Sequence, residues 1–489
     1  THLISGTAPD LVERGMARMT QGNYAAKYFE PLSTWVEEPN PFNAPEYLPE
    51  GLSPRLAEAL STRPWRETFI DGMAGGWDET LQEYYGVPTS FFGGIRLFYN
   101  KQMLAAVKRM LREDLTDDGV APWLQSFVNQ GYLPNNASLR AWLADDTPPN
   151  TLGRLMLICE GVREYARRTE QPLLAPIAGD SNSKALFANQ YRTPFTAAYA
   201  EQLDTDLNSS VEALETFAGW QRGVWSFDDA RVKAFYDCVG ALSRYFPVGF
   251  TGLDREQMNR RFALGNACMM ASGSWDLTGI IQGAQDKAEA SERFGVGVFE
   301  FPMPGPGEKW SDVVRYPANE TWVKAGATYQ INQRSPNKDW ALYFLKYISS
   351  YAVNERYNHH AGLVPCVIGT EPTEELKPFA PRVRGLWGST AFNYDLQGSF
   401  INNRYDGALI QYVTGEIEYA QLVDTMRTAM TNERNGINRG WYEAWIRQRD
   451  DVWNKQALLS GHATGPLLQA RSTSEDAGDP RANYRTILM

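Results

Sequence analysis

The stretch Phe262-Ala-Leu-Gly-Asn-Ala-Cys-Met-Met-Ala-Ser-Gly-Ser-Trp-Asp-Leu277 carries the strongest structural signal in this chain. A helix is predicted to end within it, and the apolar run 267–271 is predicted to form a short strand. Gly273 then breaks the strand and presents Trp275 and Asp276 on a turn. An indole beside a carboxylate can stack on an apolar ring face and hydrogen-bond to hydroxyl groups. The turn is therefore a candidate ligand site, with a core-packing indole as the alternative.

Composition excludes several classes of function. The chain has 489 residues, more than one compact core usually accommodates, so two lobes are expected. Its net charge of -11 argues against nucleic acid and anionic membrane surfaces as partners. Its 15 Trp and 24 Tyr residues supply many flat stacking surfaces. No run of about 18 apolar residues occurs, so no segment is predicted to span a bilayer.

The cysteines and histidines predict neither a metal site nor a histidine-based catalytic triad. The four cysteines are scattered without metal-ligand spacing. Cys159, Cys238 and Cys268 lie in apolar periodic segments and are predicted to be buried free thiols. Of the four histidines, the adjacent pair His359-His360 is predicted to lie on a surface loop. We expect no metal and no cofactor.

Short apolar strands alternate with amphipathic helices along the chain, which predicts the α/β class. Phe344 is placed on the apolar face of the helix predicted to start at Ser335. The polar segment 114–146 is predicted to be a surface insertion. The other predicted strands are 95–99, 173–177, 296–301 and 329–332, and the other predicted helices are 102–112 and several within 185–265.

Further segments follow one another in a characteristic order. They are Ser5-Gly-Thr-Ala-Pro-Asp10; Tyr85-Gly-Val-Pro-Thr89 with Leu97-Phe-Tyr-Asn-Lys101; Thr147-Pro-Pro-Asn-Thr151; Phe301-Pro-Met-Pro-Gly-Pro306; and Gln330-Ile-Asn-Gln-Arg-Ser-Pro-Asn-Lys-Asp-Trp-Ala341. With the opening stretch, they resemble the family 1 extracellular solute-binding proteins of bacterial ABC transporters. That group includes the maltose- and glycerol-3-phosphate-binding proteins.

The resemblance implies a type II periplasmic-binding-protein fold, in which two discontinuous α/β lobes flank a hinged ligand cleft. Residues 1–92 and 302–350 would form one lobe, and residues 97–300 and 354–430 the other, with 114–146 as the insertion. Residues 431–489 would be a C-terminal extension packed on the body. On this resemblance, the family's initial strand, helix and strand would be missing before Ser5, together with the ligand contacts that the first strand usually contributes.

The resemblance also implies ligand-binding residues at strand ends, with Trp275 first and Asp276 beside it. Neighbouring side chains on a strand point to opposite faces, so at most one of Phe91 and Phe92 should face ligand. The remaining candidates are Asp180, Ser181 and Asn182; Glu13 and Arg14; Asn319 and Trp322; and Phe400, Asn402 and Arg404. The alternatives are a solvated cap for 180–182 and a salt-bridged turn for 13–15. The indoles of Trp441, Trp445 and Trp453 are expected to pack rather than to bind ligand.

The function implied is that of a non-enzymatic, monomeric binding protein in the periplasm or outside the cell. It would capture a carbohydrate or polyol by hinge bending and deliver it to an ABC-transporter permease, with membrane association through the permease or an upstream anchor. A sensory or surface-assembly binding protein is one alternative, with 114–146 and the tail 459–489 as partner surfaces. A glycosidase with two carboxylates is another, although no Asp or Glu lies in a recognisable catalytic motif.

Overall fold

The computed structural model describes residues 2–13, 25, 27–78, 83–116, 119–133, 137–205, 211, 213–287, 289–314, 316–320, 324–382, 384–386, 399–436, 438–439 and 442. The described residues within Thr1–Gly94 and Val323–Ala380 form one compact unit, unit 1. Those within Ile95–Trp322 and Pro381–Ala444 form a second, unit 2. The predicted α/β class with two discontinuous parts is confirmed, and the lobe boundaries given above stay predictions.

The described strands are short. They are β1 (Leu11–Glu13), β2 (Trp77–Asp78), β3 (Glu83–Tyr84), β4 (Val87–Ser90), β5 (Arg96–Asn100), β6 (Leu115–Thr116), β7 (Gly119–Val120), β8 (Ala175–Ala178), β9 (Ala267–Ser272), β10 (Val296–Phe299) and β11 (Gly326–Ile331).

The described α-helices carry most of the regular structure. They are α1 (His2–Ser5), α2 (Ser33–Val36), α3 (Pro54–Thr62), α4 (Lys101–Asp114), α5 (Pro122–Asn129), α6 (Ala137–Ala144), α7 (Leu152–Arg168), α8 (Ser183–Leu203), α9 (Ala213–Gln221), α10 (Ala230–Ser243), α11 (Arg255–Ala263), α12 (Leu277–Gln285), α13 (Lys338–Ile348), α14 (Tyr351–Ala361), α15 (Ser399–Val413) and α16 (Tyr419–Met430). Short 3₁₀ helices occur at Pro41–Asn43, Pro45–Tyr47, Trp65–Thr68, Ala74–Gly76, Phe250–Gly252, Ser274–Asp276, Ala290–Glu292 and Lys377–Phe379. Among the described helices, none is long and apolar enough to cross a membrane.

Unit 1 is organised around a three-stranded sheet with the order β1-β11-β4. Both outer strands are antiparallel to β11, with Glu13 opposite Tyr329 and Ser90 opposite Gly326. Hence β1 and β4 run in the same direction and end at the same edge. Every residue of β4 is buried, as expected for a strand covered on both faces.

Unit 2 is organised around a four-stranded sheet with the order β10-β5-β9-β8. Strand β5 is antiparallel to both β10 and β9, whereas β8 and β9 are parallel. Strands β5, β8 and β9 are buried along their whole length, which explains why their sequences are mostly apolar, with polar residues only at the ends of β5 and β9. The strands and helices that the sequence predicts for unit 2 are present, and their bounds differ from the predicted ones by a few residues.

The segment predicted to be an insertion folds into the β6–β7 hairpin and the helices α5 and α6. Lys108 of α4 attaches it to the rest of unit 2. The Lys108 ammonium donates to the Asp145 carbonyl at 2.8 Å and the Thr147 carbonyl at 3.0 Å, and it lies 4.3 Å from the ring centroid of Trp142. Because Lys108 is buried, these contacts compensate its desolvation.

Three local predictions are wrong. Phe344 is 47% exposed rather than core-facing, because the buried face of α13 is formed by Ala341, Leu345 and Lys346, and Phe344 lies outside it. The helix begins at Lys338, and the Ser335 hydroxyl before it donates to Asp10 at 2.6 Å and accepts from the Asn337 backbone amide at 2.9 Å. His359 and His360 lie in the last turn of α14 rather than on a loop.

The predicted thiols are confirmed, since Cys159, Cys238, Cys268 and also Cys366 are free and buried. The predictions for Trp441, Trp445 and Trp453, and for most of the C-terminal extension, fall outside the described residues.

Candidate functional site

One edge of the unit 2 sheet collects several of the predicted residues. Strands β8, β9 and β10 end at this edge and β5 begins there, as the pairing of Arg96 with Ser272 and of Leu97 with Phe299 shows. We call it the carboxyl edge. Ligands of open α/β sheets bind beyond the carboxyl ends of strands, where loops and helix starts present polar groups.

Trp275 lies on the 3₁₀ turn Ser274–Asp276 that directly follows β9. Its indole folds back over Gly273, because a Cβ placed on that glycine would approach two ring carbons to 2.3 Å. The side chain is nevertheless 41% exposed, and the Arg255 guanidinium lies 5.6 Å from its ring centroid. The Trp275 ring is therefore held in place by packing but keeps accessible surface, and it does not fill the core of the unit.

Asp276 fixes the surroundings of this ring. Its carboxylate accepts two hydrogen bonds from Arg255, at 2.5 and 3.1 Å, and one from the Asn259 amide at 3.3 Å. The Ser272 hydroxyl donates to the same carboxylate. Bidentate pairing with a guanidinium is strong and geometrically specific. Asp276 thus holds Arg255 near the indole.

A cavity of about 320 Å³ lies between α11 and α12 next to this turn. We call it the Trp275 pocket; it is lined by Asn259, Arg260, Ala263, Trp275, Asp276, Gly279 and Ile280. The volume falls at the small end of the range for small-molecule sites, roughly 300–1,000 Å³. Asn259 and Arg260 were not predicted as site residues, because nothing in the sequence of an ordinary amphipathic helix distinguishes two of its polar residues.

The polar turn after β8 lies at the same carboxyl edge. Asp180 is buried, and its carboxylate accepts hydrogen bonds from the backbone amide of Asn182 at 3.1 Å and from the Ser183 hydroxyl at 2.7 Å. The backbone amide of Ser181 donates to the Leu253 carbonyl at 3.0 Å. Asp180 therefore stabilises the start of α8, and Asn182 is the exposed member of the turn.

Four charged residues form a compact network at the carboxyl edge, here called the Arg96 cluster: Arg96, Glu300, Glu320 and Arg382. Arg96 is 1% exposed and donates to both carboxylate oxygens of Glu320, at 2.8 and 2.7 Å. Arg382 donates to Glu320 through its backbone amide at 2.8 Å and to Glu300 through its guanidinium at 2.8 Å. Burial alone would raise the pKa of Glu320, but the hydrogen bonds and charges of Arg96 and Arg382 lower it below its ordinary value.

The Arg96 cluster occupies a distinctive place along the chain. The chain passes between the two units after Gly94, after Trp322 and after Ala380. Arg96, Glu320 and Arg382 each lie within three residues of one of these points. The neighbouring Asn319 is buried, and its backbone amide donates to the Leu386 carbonyl. The cluster thus ties together three points of unit 2 at which the chain continues into unit 1.

The remaining candidates are not lining residues of the Trp275 pocket. In unit 1, Glu13 is exposed at the end of β1, Phe91 is buried, and the half-buried Phe92 packs over Gly326 at the same sheet edge. Phe400, Asn402 and Arg404 lie on α15, where the Arg404 guanidinium is 5.5 Å from the Phe400 ring centroid. None of these residues lines the Trp275 pocket. Arg14 and Trp322 fall outside the described residues.

The described part of the chain contains no group of three or more His, Cys, Asp or Glu side chains that could hold a metal ion.

No family model matches the chain, and no curated protein matches it. Solved structures do match. A chitin oligosaccharide binding protein is 15% identical, with 91% of this chain and 86% of that chain covered and a TM-score of 0.48. RafE in complex with raffinose is 14% identical, with 87% and 86% covered and a TM-score of 0.47. A solute binding protein from Thermotoga lettingae, bound with α-D-tagatose, is 14% identical, with 90% and 87% covered and a TM-score of 0.47. At TM-scores below 0.5, these likenesses carry no argument about the ligand of this chain.

Proposed function

We propose that this chain is a solute-binding protein that captures a carbohydrate or polyol for uptake by an ABC transporter. One observation carries the proposal: a supported but 41% exposed indole, Trp275, lines a cavity of about 320 Å³ at the carboxyl edge. The order of the six family-like segments in the sequence supports it.

The chemistry of the Trp275 pocket suits a polyhydroxylated ring. An indole face stacks on the apolar C–H face of a sugar. The Asn259 amide and the Arg260 guanidinium can donate hydrogen bonds to hydroxyl oxygens around the ring. Gly279 leaves the α12 side of the cavity open, because no atom lies within 4 Å of the position where its Cβ would be. A sugar or polyol is the ligand class that uses all of these groups.

The carboxylate arrangement favours binding over hydrolysis. A glycosidase needs an acid and a second carboxylate on opposite sides of the scissile bond. Asp276 is the one carboxylate among the described residues that line the Trp275 pocket. Its oxygens are engaged by Arg255, Asn259 and Ser272, so it is poorly placed to transfer a proton. The glycosidase alternative therefore has no supporting geometry here.

Delivery to a permease, and a location in the periplasm or outside the cell, rest on the family resemblance. Ligand-driven hinge bending belongs to the same proposal: a ligand that binds one state about 10⁴-fold more tightly takes a two-state equilibrium from mostly open to mostly closed. The sensory or surface-assembly alternative would use the same pocket and differ in its partner.

A thermal-shift screen of the full chain tests the proposal. The panel contains neutral mono- and oligosaccharides, polyols and glycerol phosphates. A ligand that binds only the folded chain adds about 2.7 kcal/mol of stability at a hundredfold excess over its dissociation constant. We expect a rise in the unfolding midpoint for one class of glycan or polyol and the loss of that rise in Trp275→Ala.

Trp340→Ala is the matched control. Trp340 is 74% exposed on α13 in unit 1 and is not among the residues of the Trp275 pocket. Its removal should leave the ligand-induced shift intact. A folded chain that responds to no member of the panel would contradict the carbohydrate proposal, and an equal loss in both variants would contradict the role of Trp275.

A further inference from the structure

A second cavity, of about 170 Å³, lies in unit 2 where the 114–146 segment packs on α7 and on the residues that follow α10. We call it the insertion pocket. The lining residues that matter here are Trp123 and Tyr132 from the insertion, Glu160 and Arg163 from α7, and Arg244 after α10. It shares no lining residue with the Trp275 pocket.

The aromatic wall of the insertion pocket is rigid. Tyr132 is buried and stacks on Phe127, with ring centroids 5.1 Å apart and planes 22° from parallel. The indole nitrogen of Trp123 donates to the Asp114 carboxylate at 3.1 Å, which fixes the orientation of that ring. Tyr132 is also contacted by the Lys309 ammonium, 4.8 Å from its ring centroid, so it supports the wall from behind. The half-buried Trp123 ring presents the apolar surface, without a large loss of side-chain entropy on binding.

The charges in the insertion pocket do not balance. The Glu160 carboxylate accepts hydrogen bonds from the Tyr245 hydroxyl at 2.9 Å and from Arg163 at 3.3 Å, so Glu160 and Arg163 compensate each other. Arg244 is exposed, and no described residue accepts a hydrogen bond from its guanidinium. The pocket thus keeps an unpaired positive charge in a chain whose net charge is -11.

The size and the chemistry together select a ligand class. An engineered apolar cavity of about 150 Å³ accommodates benzene, so this volume admits a single six-membered ring and no oligosaccharide. The fork of a guanidinium pairs with a carboxylate through two parallel hydrogen bonds. The exposed Ser126 hydroxyl and Gln130 amide can meet ring hydroxyls. We propose that the insertion pocket binds a carboxylate-bearing monosaccharide, a hexuronate, with Arg244 on the carboxylate and the Trp123 indole against the ring.

The test is isothermal titration calorimetry of the full chain at neutral pH with four probes: sodium glucuronate, sodium galacturonate, glucose and inorganic phosphate. We expect heat of binding for at least one of the two uronates, and no binding of glucose or phosphate that depends on Arg244. Loss of a charge-assisted pair should weaken that binding by about ten- to a hundredfold in Arg244→Gln. Arg244→Lys keeps the charge without the planar fork and should show an intermediate affinity.

Two further variants make the result specific. Arg222→Gln removes an exposed arginine of unit 2 that is absent from both pockets and should leave uronate affinity unchanged. Trp275→Ala should also leave it unchanged, which separates this site from the proposed transport ligand. The proposal would be overturned if neither uronate bound, if glucose or phosphate bound as tightly and lost that binding in Arg244→Gln, or if Arg244→Gln bound the uronate as well as the unmodified chain.

Discussion

At the scale of single residues, the candidate site depends on a glycine next to a tryptophan. The Gly273 backbone has φ -94° and ψ 177°, an extended conformation that any residue can adopt, so the glycine is not needed for its backbone angles. It is needed for space, since the Trp275 ring occupies the volume where a Cβ would lie.

Gly273→Ala should therefore displace the indole without breaking strand β9. A Cβ 2.3 Å from two ring carbons cannot be accommodated, so Trp275 must change rotamer. We expect the affinity for whichever glycan the thermal-shift screen identifies to fall about tenfold, with the unfolding midpoint much less affected. Calorimetric titration and thermal unfolding measure the two effects separately.

Gly407→Ala is the matched control for this substitution. Gly407 lies within α15, and a Cβ there meets no atom within 4 Å. Alanine at an exposed helical position favours the helix by up to about 1 kcal/mol. The control should keep full ligand affinity. Undiminished ligand affinity in Gly273→Ala would show that the position of the indole does not matter for binding.

At the scale of elements, the Arg96 cluster is the strongest polar feature of the carboxyl edge. Arg96 and Glu320 are separated by 224 positions in the sequence and meet because β5 begins where β9 and β10 end. Both side chains are buried, so each relies on the other for compensation of its charge.

Glu320→Gln should destabilise the chain by about 3 kcal/mol at neutral pH, because it leaves the Arg96 guanidinium buried without a counter-charge. The pKa of Glu320 is lowered below its usual 4.5, so its ionised form adds stability above that value. This contribution is lost as the pH falls through the lower folded-state pKa. The difference in stability between the two chains should therefore shrink in acid. Urea unfolding as a function of pH measures it.

Glu374→Gln is the control for this effect. Glu374 pairs with Lys377 at 2.5 Å, but its side chain is 81% exposed. Solvent screens such a pair, so its loss should leave the unfolding midpoint unchanged. Equal midpoints for Glu320→Gln and the unmodified chain at neutral pH would contradict the structural role of the Arg96 cluster.

The elements themselves were largely predictable, and their polar contacts were not. The run 267–271 marked β9, because a strand buried on both faces needs only apolar residues. Arg96 gave no such signal, since a single arginine in an apolar strand does not indicate which distant carboxylate it meets. Phe344 was misplaced because its apolar side chain suggested a buried position, whereas the face of α13 that packs inward contains the stem of Lys346 instead.

At the scale of the whole molecule, the sequence predicted only part of the candidate site. The order of segments predicted two discontinuous parts, and the turn after Gly273 predicted Trp275. The residues that complete the Trp275 pocket come from α11 and α12, and they are brought together by packing that a single sequence does not encode in a readable motif.

The cores of both units should protect all four thiols. Cys159, Cys238 and Cys268 belong to unit 2 and Cys366 to unit 1, and burial raises the pKa of each, that of Cys268 to about 12. Because the thiolate is the reactive form, the folded chain should not react with an aromatic disulfide reagent over minutes. In denaturant all four thiols should react, and the reagent should release four equivalents of its aromatic thiol per chain. A thiol that reacts rapidly in the folded chain would show that one of these cores is open.

The most direct test of the central claim is native mass spectrometry of the full chain incubated with neutral oligosaccharides and polyols. We predict a complex with a single intact ligand and its loss in Trp275→Ala, because the proposed site offers an exposed ring for stacking and a carboxylate that is already engaged by Arg255. Shortened sugars in the mixture, or a folded chain without any bound ligand, would contradict the account.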